Sequence, residues 1–462
     1  MNRDDLQQID RAICGEIWAS DAVNRNLEAL CLECGGRFAG SDNYRRAVDM
    51  IIRLWQEYGL HNVHAEAFPF TAWQRGAAVL EMTEPARRHY PCIALPYAPT
   101  CDIEAELMDV SYGLAPDFEK AGDALRGKVA LVTNGAPPGA GRAPHRTEKY
   151  MQAKAAGAVA FIFMDNEPGM LSPTGSLAYN ENGPLDQALP SIGIAYEVGM
   201  DLRRWGKRGN VRVHLQLKND LARATSWNVV GDIPGFDRSN RHLLVFGAHL
   251  DGHDIAQAAV DNASGVIAIT EAARVLVAQQ QYLPQTVRFI CFGVEELGLF
   301  GAYAYTRAHQ DEMERIRFVF NMDVVGGNGT LGFLLQNCPE LVPHFEYLAA
   351  PLGTECHIHD TLVPFSDHFP FVLQGVPAAF IASGPGEPGK RGWGHTTADT
   401  LDKVNEQNVR LAAALTARLA IRVANDVGGW PGRRRNADEI KSTLEAQGIA
   451  RLMRMEGVWP FQ

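Results

Sequence analysis

The sequence lacks any apolar run that approaches the roughly 18 residues needed for a membrane-spanning helix. Its first residues, MNRDDLQQIDRAICGEIWAS, are charged and amphipathic, without the positive segment and apolar stretch of a secretory signal. Internal repeats and low-complexity tracts are also missing. These absences predict a protein of the cytoplasm that does not work at a membrane, and they exclude a repeat architecture.

Basic residues are outnumbered by acidic ones. The chain has 43 Lys and Arg residues against 54 Asp and Glu residues, which gives a net charge of -11. A strongly acidic chain is a poor partner for nucleic acid and for an anionic membrane surface. Its 462 residues, 46% of them hydrophobic, are enough for two or three globular domains.

The spacing of the cysteines predicts neither a disulfide framework nor a zinc finger. Eight are scattered along the chain, and the pair Cys31 and Cys34 has no second pair at zinc-finger spacing. We therefore expect this CxxC to pack within a helix, and we expect free thiols in a reducing cytoplasm.

The order of predicted elements divides the chain into four segments. Alternating strands and helices predict an α/β fold, with a mainly parallel central sheet covered by helices on both faces. A second set of strands and a helix, with a Gly/Pro/Asn-rich loop at 168–190, predicts a small inserted α/β domain. The segments are N-terminal helices and first strands (1–89), the insert (90–222), the main α/β core (223–428) and a tail of unknown role (429–462).

Side chains that bind metals recur where predicted strands of the core end. A single histidine at a strand end is commonly structural, and a single aspartate before a helix is commonly an N-cap. Five such residues at one sheet edge favour a ligand site instead, because ligands bind beyond the carboxyl ends of parallel strands. The five are His249, Asp261, Glu296, Asp323 and His395.

Two histidines and three carboxylates suit a pair of divalent ions, with zinc first and cobalt or manganese as alternatives. The ions carry +4, the three carboxylates offset three of these charges, and a bound hydroxide balances the last. One carboxylate has to bridge the ions. The adjacent glutamates in FGVEELG then have a purpose: one binds metal, and the other takes the proton from the bound water.

The motif order HLD, DNASG, EELG, NMD and HTTADT resembles the M28 family of co-catalytic zinc peptidases, whose members are mostly aminopeptidases. The segment CGGRFAGSDNYRRAVDMIIRLWQEYGL resembles the opening helices of that family, and the insert resembles a protease-associated (PA) domain. The likeness covers most of residues 25–425.

The resemblance implies a role for each ligand. His249 and Asp323 hold one zinc, Glu296 and His395 hold the other, and Asp261 bridges them. It also implies a cis peptide bond after Asp261.

Further roles follow for the neighbours. Glu295 acts as general base and then as general acid, and Asp251 accepts a hydrogen bond from the His249 ring and sets its tautomer. Asp399 either does the same near His395 or is a surface turn residue. Asp367 and His368, in FSDHFPF, either lie near the substrate or support their loop.

The family-like pattern has one departure. Many members carry a tyrosine before the last histidine, where its hydroxyl stabilises the oxyanion, whereas this chain has Gly394 after Trp393. Oxyanion stabilisation would then come from the ions, a backbone N–H or another residue.

The resemblance implies a metallopeptidase that hydrolyses peptide or related amide bonds, as an aminopeptidase first. Carboxypeptidase, dipeptidase and amidohydrolase activities stay open, as do a single-zinc glutaminyl cyclase and a binding protein without catalysis. Substrate side chain and oligomeric state cannot be read from the residues.

Overall fold

The structure is a computed structural model that describes residues 1–137, 139, 144–177, 179–180, 183–384 and 392–461. Part of the Gly/Pro/Asn-rich loop predicted at 168–190, namely 178 and 181–182, lies outside these residues. Across the described ranges, no helix combines the length and the apolar character that a membrane crossing requires.

The helices and strands alternate along most of the chain. The helices are α1 (Arg3–Ala19), α2 (Ala22–Ala29), α3 (Asp42–Glu57), α4 (Ala115–Ala121), α5 (Arg146–Ala155), α6 (Tyr196–Gly206), α7 (Ser264–Val277), α8 (Phe300–Ala308), α9 (Leu341–Ala349), α10 (Phe369–Leu373), α11 (Glu406–Ala424), α12 (Ala437–Ala446) and α13 (Ile449–Glu456). The strands are β1 (His61–Gln74), β2 (Ala78–Glu84), β3 (Arg88–Tyr90), β4 (Ile93–Ala94), β5 (Cys101–Asp109), β6 (Val129–Thr133), β7 (Ala160–Met164), β8 (Tyr179–Asn180), β9 (Gly183–Pro184), β10 (Ser191–Ile194), β11 (Arg212–Leu217), β12 (Asp220–Ile233), β13 (Leu243–His249), β14 (Thr286–Phe292), β15 (Ile316–Met322), β16 (Leu331–Leu335), β17 (His357–Asp360) and β18 (Ala378–Ser383).

Packing divides the chain into two compact units. The first comprises Met1–Pro69, Thr225–Gly394 and Ala398–Ala446. Its sheet has the order β1-β12-β14-β13-β15-β18-β16-β17. The four central strands β14, β13, β15 and β18 run parallel, which confirms the predicted α/β fold with a mainly parallel core.

The centre of this sheet is buried on both faces, as its apolar runs predict. Every residue of β13 is buried, and the Phe246 ring on it stacks between Phe289 of β14 and Phe320 of β15. Helix α7 is buried around most of its circumference and contacts β13, α1, α2 and α11. A rigid sheet of this kind can hold side chains at its strand ends in fixed positions.

Helix α3 shows how the N-terminal sequence folds. Ser41 caps it by accepting a hydrogen bond from the Tyr44 backbone N–H. Apolar residues then recur every three or four positions, and this face is buried in the core, with Trp55 fully covered. The preceding turn contains Cys31 and Cys34, both buried free thiols, so the expectation that this CxxC packs inside a helical segment is met.

The second unit comprises Phe70–Ala224, His395–Thr397 and the residues from Gln447 onward. Its sheet has the order β3-β2-β11-β5-β6-β7-β10-β4, with β5, β6, β7 and β10 parallel. The predicted boundary at residue 90 leaves β2 in the preceding segment, whereas β2 hydrogen-bonds to β11 within this second sheet. In the tail, α13 packs against α5 of the same unit.

Candidate metal centre

The first group of site residues lies at or just after the ends of three neighbouring parallel strands. His249 is the last residue of β13, Asp323 follows directly after β15, and Glu295 and Glu296 come three and four positions after the end of β14. Because β14, β13 and β15 are adjacent and parallel, their carboxyl ends meet at one edge of the sheet.

His249, Asp261 and Asp323 form a compact buried cluster, whose ligand atoms all lie within 4.8 Å of one another. His249 Nε2 is 3.3 Å from Asp261 Oδ1 and 3.3 Å from Asp323 Oδ1. The other ring nitrogen, Nδ1, donates to the Asp251 backbone carbonyl oxygen at 3.1 Å. The lone pair is therefore on Nε2, toward the two carboxylates, and this nitrogen–oxygen set fits a divalent ion.

The charge around His249 supports the same conclusion. Burial alone would lower the pKa of His249, but the carboxylates of Glu295 and Asp323 outweigh it and hold that pKa well above its usual value. The cluster thus stabilises positive charge at the imidazole. A bound cation would supply that charge in place of a proton and would leave the Nε2 lone pair free to bind it.

Asp261 is held by its backbone as well as by its neighbours. The Asp399 carboxylate accepts hydrogen bonds from the backbone N–H groups of Val260 at 2.7 Å and Asp261 at 3.1 Å. Burial raises the pKa of Asp399 to about 7, and the negative charge of Asp261 adds to the effect. The peptide bond from Asp261 to Asn262 is cis, as the family resemblance predicted. Asp399 is thus a buried support of Asp261.

Asp251 positions the paired glutamates. Its carboxylate accepts the backbone N–H of Glu295 at 3.0 Å and that of Glu296 at 3.2 Å. This differs from the expected hydrogen bond to His249, because the Asp251 carboxylate is 3.9 Å from the ring nitrogen and only its backbone carbonyl is within bonding distance. Burial raises the pKa of Asp251 to about 6.

The turn that carries the glutamates has an unusual backbone. Val294, a β-branched residue, has φ of +62°, a region that costs on the order of 1–3 kcal/mol for such a side chain. The anchors to Asp251 on the next two residues offset this cost and aim both side chains.

Glu295 and Glu296 face different surroundings. Glu295 is partly exposed, and burial raises its pKa well above the usual value, with the Glu296 charge adding to the shift. Glu296 is 3% exposed, and its Oε2 lies 3.0 Å from His253 Nε2. Sequence reasoning missed His253, although the signal is present in HLDGHD, four positions after His249.

Ser366 and Asn321 were also missed. Ser366 Oγ donates to Asp323 Oδ2 at 2.8 Å, and Asn321 Nδ2 donates to Ser366 Oγ at 2.8 Å. Together they orient the Asp323 carboxylate. Ser366 precedes Asp367 in the stretch FSDHFPF, so its position was a usable signal.

Asp367 and His368 are both fully buried. In the described part of the chain, no group donates a hydrogen bond to either Asp367 oxygen. Burial raises the pKa of Asp367 well above its usual value, and the His249 charge opposes this shift. His368 Nε2 donates to the Val363 carbonyl oxygen at 2.8 Å, and burial lowers its pKa to about 3. His368 therefore acts as a neutral support of its loop.

The last two positions singled out from the sequence are His395 and Gly394. By packing, His395 belongs to the second unit, where its Nδ1 donates to the Thr174 carbonyl oxygen at 3.2 Å and leaves the lone pair on Nε2. Gly394 belongs to the first unit. A Cβ at Gly394 would lie 2.8 Å from Asp261 Oδ2, so this backbone leaves no room for a side chain there.

Two family models match the chain. The model of peptidase family M28 matches residues 228–420, and that of the PA domain matches residues 96–202.

Curated relatives match over about two thirds of this chain. Aminopeptidase YwaD of Bacillus subtilis (strain 168) is 29% identical over 320 residues, which are 68% of this chain and 65% of the relative. Carboxypeptidase Q of Bos taurus is 27% identical over 314 residues, 66% of this chain and 65% of the relative. The chain thus spans 65% of the length of each of these relatives, slightly less than two thirds.

Solved structures share the fold. A peptidase M28 precursor from Shewanella amazonensis SB2B superimposes with a TM-score of 0.79 at 24% identity, covering 94% of this chain and 99% of that one. BSAP, a zinc aminopeptidase from Bacillus subtilis, superimposes with a TM-score of 0.67 at 25% identity, covering 87% of this chain and 95% of its own.

Proposed function

Since this chain belongs to peptidase family M28 and carries a PA domain, we propose that it is a metal-dependent peptidase that acts as an aminopeptidase. The observation that carries the proposal is the buried cluster of His249, Asp261 and Asp323 beside the Glu295–Glu296 pair. Aminopeptidase YwaD and BSAP, both similar to this chain, support the choice of an aminopeptidase.

Two zinc ions are the proposed cofactors. His249, Asp323 and Asp261 would hold one ion, and Glu296, with the sequence-predicted ligand His395, would hold the other, with Asp261 shared. BSAP is described as a zinc enzyme, which supports zinc as the metal. When bound, such ions polarise a carbonyl group and lower the pKa of a coordinated water.

Glu295 is the proposed general base. It accepts a proton from the attacking water as the new bond to the carbonyl carbon forms. It then donates that proton to the leaving nitrogen as the C–N bond breaks. Asp251 serves this step by fixing the Glu295 backbone, and Ser366 and Asn321 do so by orienting Asp323.

Domain borders and compartment complete the proposal. We propose the four segments predicted from the sequence as functional divisions, with strand β2 moved from the first segment to the insert because it pairs with β11. The cytoplasm is the proposed compartment, because all eight cysteines are free thiols. A disulfide found in the native protein would count against it.

A substrate panel on metal-quantified protein tests the activity. Aminoacyl amides and free dipeptides should be hydrolysed, whereas dipeptides with a blocked amino group should not. No hydrolysis of any member by protein that holds its metal would overturn the proposal.

The similarity to carboxypeptidase Q supports carboxypeptidase activity as the alternative to test. Cleavage of N-blocked dipeptides at the free carboxyl end would favour a carboxypeptidase. Cleavage of unblocked dipeptides alone, with aminoacyl amides untouched, would favour a dipeptidase.

A further inference from the structure

His253 lies beside the metal-binding edge without a role in the ligand set predicted from the sequence. Its Nε2 is 3.0 Å from Glu296 Oε2, and both residues are nearly inaccessible, at 4% and 3% exposure. Glu296 is the carboxylate assigned to the second ion. A ring nitrogen and a carboxylate oxygen at this distance are close enough to bind one metal ion together.

The His253 ring is held in place from one side by an aromatic residue. The ring of Phe38 stacks on it, with centroids 5.7 Å apart and an angle of 24° between the planes. Stacking restricts tilting of the imidazole ring, and in the observed orientation its Nε2 is directed at Glu296. This orientation is the kind of preorganisation that a metal ligand needs.

The loop that carries His253 is also fixed. Arg37 is fully buried and donates to the backbone carbonyl oxygens of Leu250 at 2.9 Å, Gln257 at 2.8 Å and Ala258 at 2.9 Å. The backbone N–H of Gly252 donates in turn to the Arg37 carbonyl oxygen at 3.2 Å. Both ends of the loop are therefore tied to one side chain, with His253 between them.

Local charge favours a cation at this place. Glu295 and Glu296 are adjacent, and the Asp251 carboxylate lies beneath their backbone N–H groups. Two imidazoles lie beside these three acids, His253 at Glu296 and His249 near Asp251, and they cannot neutralise all of them. A divalent ion held between His253 and Glu296 would compensate the excess negative charge.

We propose that His253 binds the second metal ion through Nε2, together with Glu296. The inference rests on the proposed two-ion site and adds a ligand to the five predicted from the sequence. An extra imidazole raises the affinity of the second position for zinc and cobalt relative to magnesium or calcium, which prefer oxygen ligands.

The competing role is that His253 only donates a hydrogen bond to Glu296 from outside the metal shell. The variants His253→Gln and His253→Ala separate the two roles. A glutamine amide can replace a hydrogen-bond donor, but it is a poor substitute for an imidazole ligand. His344→Asn, which removes a half-buried imidazole next to Trp430, is the matched control.

The test is cobalt titration of the metal-free protein, followed by proton NMR of the loaded form. We expect wild type and His344→Asn to bind two ions. Both His253 variants should keep the first ion and bind the second at least 100-fold more weakly. At cobalt concentrations that fill both positions, one exchangeable, strongly shifted imidazole N–H signal of wild type should be missing from both variants. Retention of the first ion shows that the variants are folded.

The other outcomes would overturn the assignment of His253 as a ligand. If His253→Gln binds the second ion like wild type, or if no imidazole signal is lost, His253 is not a ligand and the inference falls while the proposed function stands. If wild type itself binds fewer than two ions, the two-ion proposal falls and the inference with it.

Discussion

Glu295 and Glu296 are adjacent in sequence, yet their side chains have different proposed roles. Glu296 is buried against His253, whereas Glu295 is partly exposed. Both are anchored through their backbone N–H groups to Asp251, so a change of either side chain leaves the turn in place.

This difference predicts opposite behaviour of two isosteric variants. Glu295→Gln keeps the shape but cannot accept a proton, so turnover should fall by roughly 10²–10⁴-fold while the metal content stays unchanged. Glu296→Gln should lose the second ion, because an amide oxygen is a weaker ligand than a carboxylate. Metal content and turnover are measured side by side for both proteins. The assignment is reversed if Glu295→Gln loses metal and Glu296→Gln retains it.

At the residue scale, the placement of a side chain could be predicted from sequence where its position along a strand determines its direction. His249 is the last residue of one buried strand and Asp323 directly follows another, and the parallel sheet brings them together. His253 could not be placed in this way, because its direction depends on how a loop folds around Arg37 from far earlier in the chain. Gly394 shows the same limit, since only the three-dimensional structure reveals its closeness to Asp261.

At the scale of elements, the loop 250–258 joins strand β13 to the segment that carries Asp261. Arg37 binds its carbonyl groups from within the core, together with that of Gly35 at 3.0 Å. Gly36 lets the two segments approach, because a Cβ there would lie 2.8 Å from the Ala256 carbonyl oxygen. The GGR sequence is therefore a structural clamp for this loop.

Replacing the clamp should destabilise the protein. Arg37→Met keeps much of the side-chain volume but leaves buried carbonyl groups without donors, which we expect to cost on the order of 3–5 kcal/mol. The loss is measured as a shift in the midpoint of urea unfolding. Arg53→Met, on the exposed face of α3, is the control and should change stability by about 0.5 kcal/mol or less. Equal midpoints for Arg37→Met and wild type would contradict the clamp.

Elements themselves were largely predictable, but their sheet membership was not. Apolar runs and helical periodicity predicted the strands and helices of the core. Strand β2 was assigned to the wrong neighbours, because its partner β11 comes more than 100 residues later and local pattern carries no information about that pairing.

At the scale of the whole molecule, one edge of the parallel sheet gathers the acidic and imidazole side chains. The cluster of His249, Asp261 and Asp323 and the pair of His253 and Glu296 are both built on elements of the first unit. Buried acids in such numbers are expensive to maintain without compensating cations. The two ions of the proposed site would supply this compensation.

Elemental analysis of the purified protein, combined with turnover before and after chelation, tests this claim most directly. The proposed two-ion site requires about two zinc ions per chain, loss of peptide hydrolysis on their removal, and recovery when both are restored. One ion per fully active chain, or activity that survives complete removal of metal, would contradict it.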